Sequence, residues 1–133
     1  MHSRRYMTLD EIDKIHTAVL NESGGFPGYR DNGLVDSALN RPKSGYYANL
    51  FEEAAAMMES IANNQGFLDG NKRTAFISTD TFLRWNGLYL EIEPQAAYDF
   101  MVKASKQKVF KFGLILEWLF DIYEILDDFE PSD

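Results

Sequence analysis

Cysteine is absent from the 133-residue chain. This excludes disulfides, zinc–thiolate centres and thiol nucleophiles, and it suits a cytoplasmic protein. Long apolar runs are missing too: no stretch approaches the roughly 18 apolar residues of a membrane span. The start, Met1-His2-Ser3-Arg4-Arg5, is not followed by the apolar segment of a secretion signal, so no membrane role is expected. Positive charge is in deficit. Thirteen Lys and Arg against 21 Asp and Glu give a net charge of −8, which argues against direct nucleic-acid binding. The acidic balance fits a basic partner as well as it fits simple solubility. The chain shows no internal repeat, low-complexity tract or linker, so residues 1–133 are expected to form one domain. The chain is 45% hydrophobic and 14% aromatic, enough for a single core without staples.

Local signals predict an all-α fold, a compact single-domain bundle of about six helices. Thr8-Leu9-Asp10-Glu11 fits a capping box, and Ile12, Ile15, His16 and Val19 follow at helical spacing until Gly24-Gly25. A loop runs from Gly24 to Asp31, and a short helix over Gly33–Asn40 ends ahead of Pro42. Lys43 to Asn49 reads as a polar connector. Leu50 to Asn64 forms a third helix, with Ala54, Met57, Met58 and Ile61 as its buried stripe. A fourth helix runs from Asn71 to Trp85 and stops at Asn86-Gly87. Leu88 to Ile92 alternates like a strand but has no evident partner and reads as an extended connector. Pro94 opens a fifth helix to about Lys106, and the last and most apolar helix spans about Phe110 to Leu126. The acidic tail 127–133 is expected to fray.

Chemistry concentrates between the third and fourth helices, at Gln65-Gly-Phe-Leu-Asp-Gly-Asn-Lys-Arg-Thr74. A loop that runs into a helix N-terminus presents unpaired N–H groups and the positive end of the helix dipole. Gly70 permits close approach of a ligand, and Lys72 and Arg73 add full positive charge. Asp69 suits such a site if it holds a divalent cation that bridges to phosphate oxygens. The segment reads as a phosphate or nucleotide site. Each residue also has a plainer reading: Phe67 as a core plug, Asn71 as a helix cap, Asp69 as a cap without metal, and Lys72 with Arg73 as a solvated charge pair.

The same residues resemble the Fic/Doc family, whose core motif is His-x-Phe-x-Asp-(Ala/Gly)-Asn-Lys-Arg. Phe67, Asp69, Gly70, Asn71, Lys72, Arg73 and Thr74 match it. Gly24 to Asp31, Leu39-Asn40-Arg41-Pro42 and Phe82-Leu83-x-x-Asn86-Gly87 are similar to the Doc, or death-on-curing, branch. The likeness runs from about Thr8 to Trp118. One position departs from it: Gln65 stands where the family has its general-base histidine. A glutamine amide does not titrate near neutral pH and cannot take a proton from a hydroxyl nucleophile. Gln65 is either a natural residue of a pseudoenzyme or an inactivating replacement. The only histidines, His2 and His16, are not placed by sequence to substitute, and His16 reads as a satisfied core or boundary histidine.

The resemblance implies a toxin of a toxin–antitoxin module that transfers the γ-phosphate of ATP to a threonine of elongation factor Tu, arresting translation. Gly70, Asn71 and Lys72 would cradle the phosphates with the backbone around Asp69, Asp69 would position Mg²⁺, and Arg73 would offset charge on the transferring group. Gln65 occupies the catalytic position and predicts binding without turnover. Fic proteins that transfer AMP carry a second glycine where this chain has Lys72, so a kinase is favoured over the alternative, a Fic-type adenylyltransferase. A catalytically dead nucleotide- or partner-binding module is the other alternative. The resemblance also implies an antitoxin whose disordered C-terminal tail folds into a groove beside the site; the chain's own aromatic residues, for example Phe26, Tyr46, Tyr47 and Phe51, either offer such a groove or serve loop packing only.

Overall fold

The computed structural model describes residues 3–125. The tail expected to fray at 127–133, together with Leu126 and His2, lies outside the described residues. Six helices dominate: α1 Leu9–Ser23, α2 Asn32–Asn40, α3 Leu50–Asn64, α4 Asn71–Trp85, α5 Pro94–Lys106 and α6 Phe112–Ile122. The fold is all-α, with a 3-10 turn at Arg41–Ser44 and one small antiparallel pair of strands, β1 Leu88–Leu90 and β2 Tyr123–Ile125.

The helix starts follow from their caps. Thr8 and Glu11 form the reciprocal capping box of α1, the Thr8 hydroxyl accepting from Glu11 N and the Glu11 carboxylate from Thr8 N at 2.9 Å. Asp31 caps α2 and Asn49 caps α3. Arg41, at the head of the 3-10 turn, donates to Tyr47 Oη, Ala56 O, Glu59 and Ser60 at 2.7–3.0 Å, tying the turn to α3.

Helix α3 is the axis of the molecule, packed against α2, α4 and α6. Its expected stripe of Ala54, Met57, Met58 and Ile61 is buried, and so are Ala55, Ala56 and Ala62. Three consecutive alanines let neighbouring helices approach closely, while each buried methionine or isoleucine contributes about 1.5–3 kcal/mol. One cluster joins this helix to Ile12, Leu39, Phe82, Leu83, Met101, Ile115 and Leu119.

Two sequence expectations change. Leu88–Leu90 has a partner: Leu88 pairs with Ile125, Tyr89 with Glu124 and Leu90 with Tyr123. The last helix accordingly stops at Ile122 rather than continuing to 126, because Tyr123 turns extended (φ −117°, ψ 142°) to enter the pair. Its buried hydroxyl donates to Asp80 Oδ1 at 2.7 Å, anchoring the strand to α4. A three-residue strand whose partner is remote in sequence leaves too little periodicity to be seen locally.

Candidate active site

The site is the loop that joins α3 to α4. Helix α3 ends where Gln65 adopts a left-handed conformation (φ 54°, ψ 50°). Its last carbonyls do not go unpaired. Arg30 donates Nη2 to Asn64 O at 3.0 Å and Nε to Gln65 O at 2.8 Å, placing a cation at the negative helix end. Gly66 O then accepts from the amides of Arg30 and Asp31, and Leu68 N donates to Gly28 O. The 24–31 loop thereby fixes the course of the motif loop.

Phe67 is the plug that the sequence suggests, 2% exposed. Its ring lies between His16, at 3.9 Å centroid separation, and Tyr29, at 5.2 Å. The Tyr29 hydroxyl donates to Asp13 on α1; burial first, and the Asp13 carboxylate second, raise its pKa above the usual tyrosine value. Asn71 does not cap its helix. Gly70, left-handed at φ 79°, is the N-cap, and Asn71 turns its side chain back on the loop. It accepts from Phe67 N and donates to Phe67 O, both at 3.0 Å.

Since Gly70 supplies no side-chain cap, the first N–H groups of α4 have no acceptor among the described residues. They meet a cleft of about 550 Å³ whose lining includes Gln65, Asp69, Gly70, Asn71, Lys72 and Arg73, together with Tyr98 of α5. All six sequence-selected residues are therefore brought to one cleft. Neither Lys72 nor Arg73 forms an ion pair among the described residues. The Arg73 guanidinium lies 4.1 Å from the centroid of the Tyr98 ring, a contact that holds it in place without neutralising it. Uncapped amides, the helix dipole and two cations without ion-pair partners among the described residues are features that favour an anion.

Asp69 is held from two sides. Its carbonyl accepts from His16 Nε2 at 2.8 Å, and its Oδ2 accepts from Phe26 N at 2.7 Å. Oδ1 has no protein partner among the described residues. The site contains no cluster of three acidic, histidine or cysteine groups among the described residues, so it offers no all-protein metal cage. It does fit Mg²⁺, which is commonly held by one or two carboxylates, substrate phosphates and water. Gly25 is obligatory beside it: φ is +121°, and a Cβ there would meet Asp69 Cβ at 3.0 Å and Leu20 Cδ2 at 3.1 Å.

His16 is the satisfied core histidine that the sequence suggests, 5% exposed and bonded to Asp69 O, but sequence reasoning did not give its partner, missed the structural role of Arg30 and did not select Tyr98. Phe26, Tyr46, Tyr47 and Phe51 do not form one cluster, although the Tyr46 and Tyr47 rings meet edge to face at 5.3 Å. Phe26 sits at Asp69, whereas Phe51 starts α3 and packs on Phe120, and Tyr47 packs on Phe112. At 1.5 Å per residue, the two ends of α3 are roughly 20 Å apart. No helix among the described residues is long and apolar enough to cross a membrane.

Comparison with known proteins shows the family. The family model described as Fic/DOC family matches residues 6–83, a span that includes α1, the motif loop and most of α4. Toxin Doc of Mycolicibacterium smegmatis is 43% identical over 72 residues, 50% of this chain and 55% of that protein. Protein kinase doc of Escherichia phage P1 is 31% identical over 109 residues, 79% of this chain and 86% of that protein. With the match running from the capped first helix through the complete motif loop, the chain belongs to the Fic/DOC family.

Proposed function

We propose that this chain is a Doc-like toxin scaffold built for phosphotransfer from ATP to a threonine of elongation factor Tu, and that Gln65 leaves it able to bind but not to turn over. The observation that carries the reading is Lys72: an unpaired cation at the uncapped start of α4, beside Arg73, in the cleft that also holds Asp69. A lysine there provides charge for a terminal phosphate and takes up room that a glycine would leave for AMP transfer. The name of the phage P1 relative, a protein kinase, points the same way.

In this scheme the N–H groups of Asn71 and Lys72 and the Lys72 ammonium bind the phosphates, and Arg73 stabilises charge on the transferring group. Asp69 Oδ1 would hold Mg²⁺, which would supply charge neutralisation to the phosphates. With histidine at 65, the imidazole takes the proton of the target hydroxyl. The hydroxyl oxygen bonds to the γ-phosphorus, the bond from that phosphorus to the β–γ bridging oxygen breaks, and ADP leaves. Glutamine cannot take that proton, and a general base is typically worth about 10²–10⁴-fold. That same substitution supports the second reading, a binding module that retains nucleotide without chemistry.

The name of the Mycolicibacterium relative, a toxin, supports an antitoxin partner, expected to act through a disordered C-terminal tail. Expression in a bacterial host tests the proposal. Gln65→His should arrest growth and Gln65→His with Lys72→Ala should not; unimpaired growth with Gln65→His would overturn the toxin reading.

A further inference from the structure

Along the inward stripe of α1, Ile12 and Val19 are ordinary buried apolar residues. His16 lies between them, 5% exposed, and a buried imidazole needs a partner to offset its desolvation. That partner is the Asp69 carbonyl at 2.8 Å. A carbonyl only accepts, so Nε2 must carry the proton. The ring face lies at 13° to Phe67 with centroids 3.9 Å apart, a parallel stack. One side chain therefore touches two of the six loop residues, on either side of Leu68.

Gly70, the last residue of the loop, also lies against α1. A Cβ at Gly70 would stand 3.3 Å from Val19 Cγ1 and 3.7 Å from His16 Cδ2. Asp69 is fixed by its backbone to α1 and by its Oδ2 to Phe26, while Oδ1 has no protein partner among the described residues. Groups that orient a ligating carboxylate in this way tune what it binds.

We propose that His16 is a positioning residue, which sets the Asp69 carboxylate in the cleft by donating Nε2–H to the Asp69 carbonyl and clamping Phe67. The metal consequence rests on the nucleotide reading above; the loop consequence does not. Two variants separate the parts. His16→Phe fills the space and keeps the stack but has no donor. His16→Gln loses the ring but carries its amide nitrogen the same number of bonds from Cα, so it can donate to the same carbonyl.

The test combines hydrogen exchange at the Phe67 and Leu68 amides, which are held by Asn71 and Gly28, with calorimetric titration of ATP with and without Mg²⁺. In His16→Phe, exchange at those amides should rise about tenfold, the scale of one lost hydrogen bond. The Mg²⁺-dependent gain in ATP affinity should fall by about the same factor, with affinity for metal-free ATP unchanged. His16→Gln should recover most of both. Parent-like exchange in His16→Phe would overturn the proposal, and so would an equal loss of both ATP forms alongside a lower thermal midpoint, or a failure of His16→Gln to rescue. If the unaltered chain binds no ATP, the nucleotide reading fails, and the exchange arm alone upholds or overturns the role of His16. Should His16→Phe not fold, His16→Leu, which also lacks a donor, is read by the same criteria.

Discussion

Asn71→Ala isolates what this residue does in the motif. In the structure its amide is committed to Phe67, accepting from the N–H and donating to the carbonyl at 3.0 Å each. Removing it breaks two neutral hydrogen bonds of about 0.5–1.5 kcal/mol each and leaves two part-buried backbone groups unpaired. The expected loss is about 2–4 kcal/mol. For a chain of this size that corresponds to a fall of roughly 6–15 °C in thermal midpoint. Thermal and urea unfolding of Asn71→Ala and Thr81→Ala provide the assay. Thr81 shares α4, and its exposed hydroxyl bonds only to Ile77 O, so its loss should stay within about 0.5 kcal/mol. If Asn71→Ala proves as stable as Thr81→Ala, the loop is not held by this amide and Asn71 must act elsewhere.

Other expectations follow from the same geometry. Lys72→Ala or Arg73→Ala should each weaken Mg²⁺–ATP binding by about 10- to 100-fold through loss of a charge-assisted contact, with folding retained; calorimetry that finds parent affinity in both would remove them from the site. Gly25→Ala should destabilise the fold and weaken Mg²⁺-dependent nucleotide binding, because its Cβ would push against Asp69 Cβ at 3.0 Å from a strained positive-φ backbone; parent behaviour in both assays would contradict that contact. Burial, and then Asp80, raises the Tyr123 pKa above the ordinary tyrosine value, so its contribution to stability is complete below pH ~10 and declines as pH rises above it. Tyr123→Phe should be less stable than the parent by about 1 kcal/mol at pH 8 and draw level near pH 11, as read from urea midpoints; a gap constant with pH would refute the linkage.

What could be read from the sequence follows the range of the interactions. Helices α1, α3, α4 and α5 are visible because their signals are local: Thr8 with Glu11, the spacing of Ala54, Met57, Met58 and Ile61, Asn86-Gly87, and Pro94. The motif loop is visible because its chemistry is contiguous. The β1–β2 pair is not, since each strand is three residues long and the partners meet only through the fold. The loop's supports are equally hidden. Arg30 reaches Gln65 O across 35 residues of sequence and His16 reaches Asp69 O across 53. The sequence marks His16 as buried but does not give its target. Asn71 shows a different limit: at the start of a helix it looks like a cap, but with left-handed Gly70 as the N-cap its side chain turns back to the loop instead.

Gln65 is the position on which the functional account turns. Its left-handed backbone, φ 54° and ψ 50°, is a conformation in which histidine is several-fold enriched among non-glycine residues, so Gln65→His should be accommodated without new strain. Purified Gln65→His incubated with Mg²⁺–ATP and elongation factor Tu should add the mass of one phosphate to a threonine of the factor, while the unaltered chain adds none. An unmodified factor, or a gain of AMP mass in place of phosphate, would contradict the account.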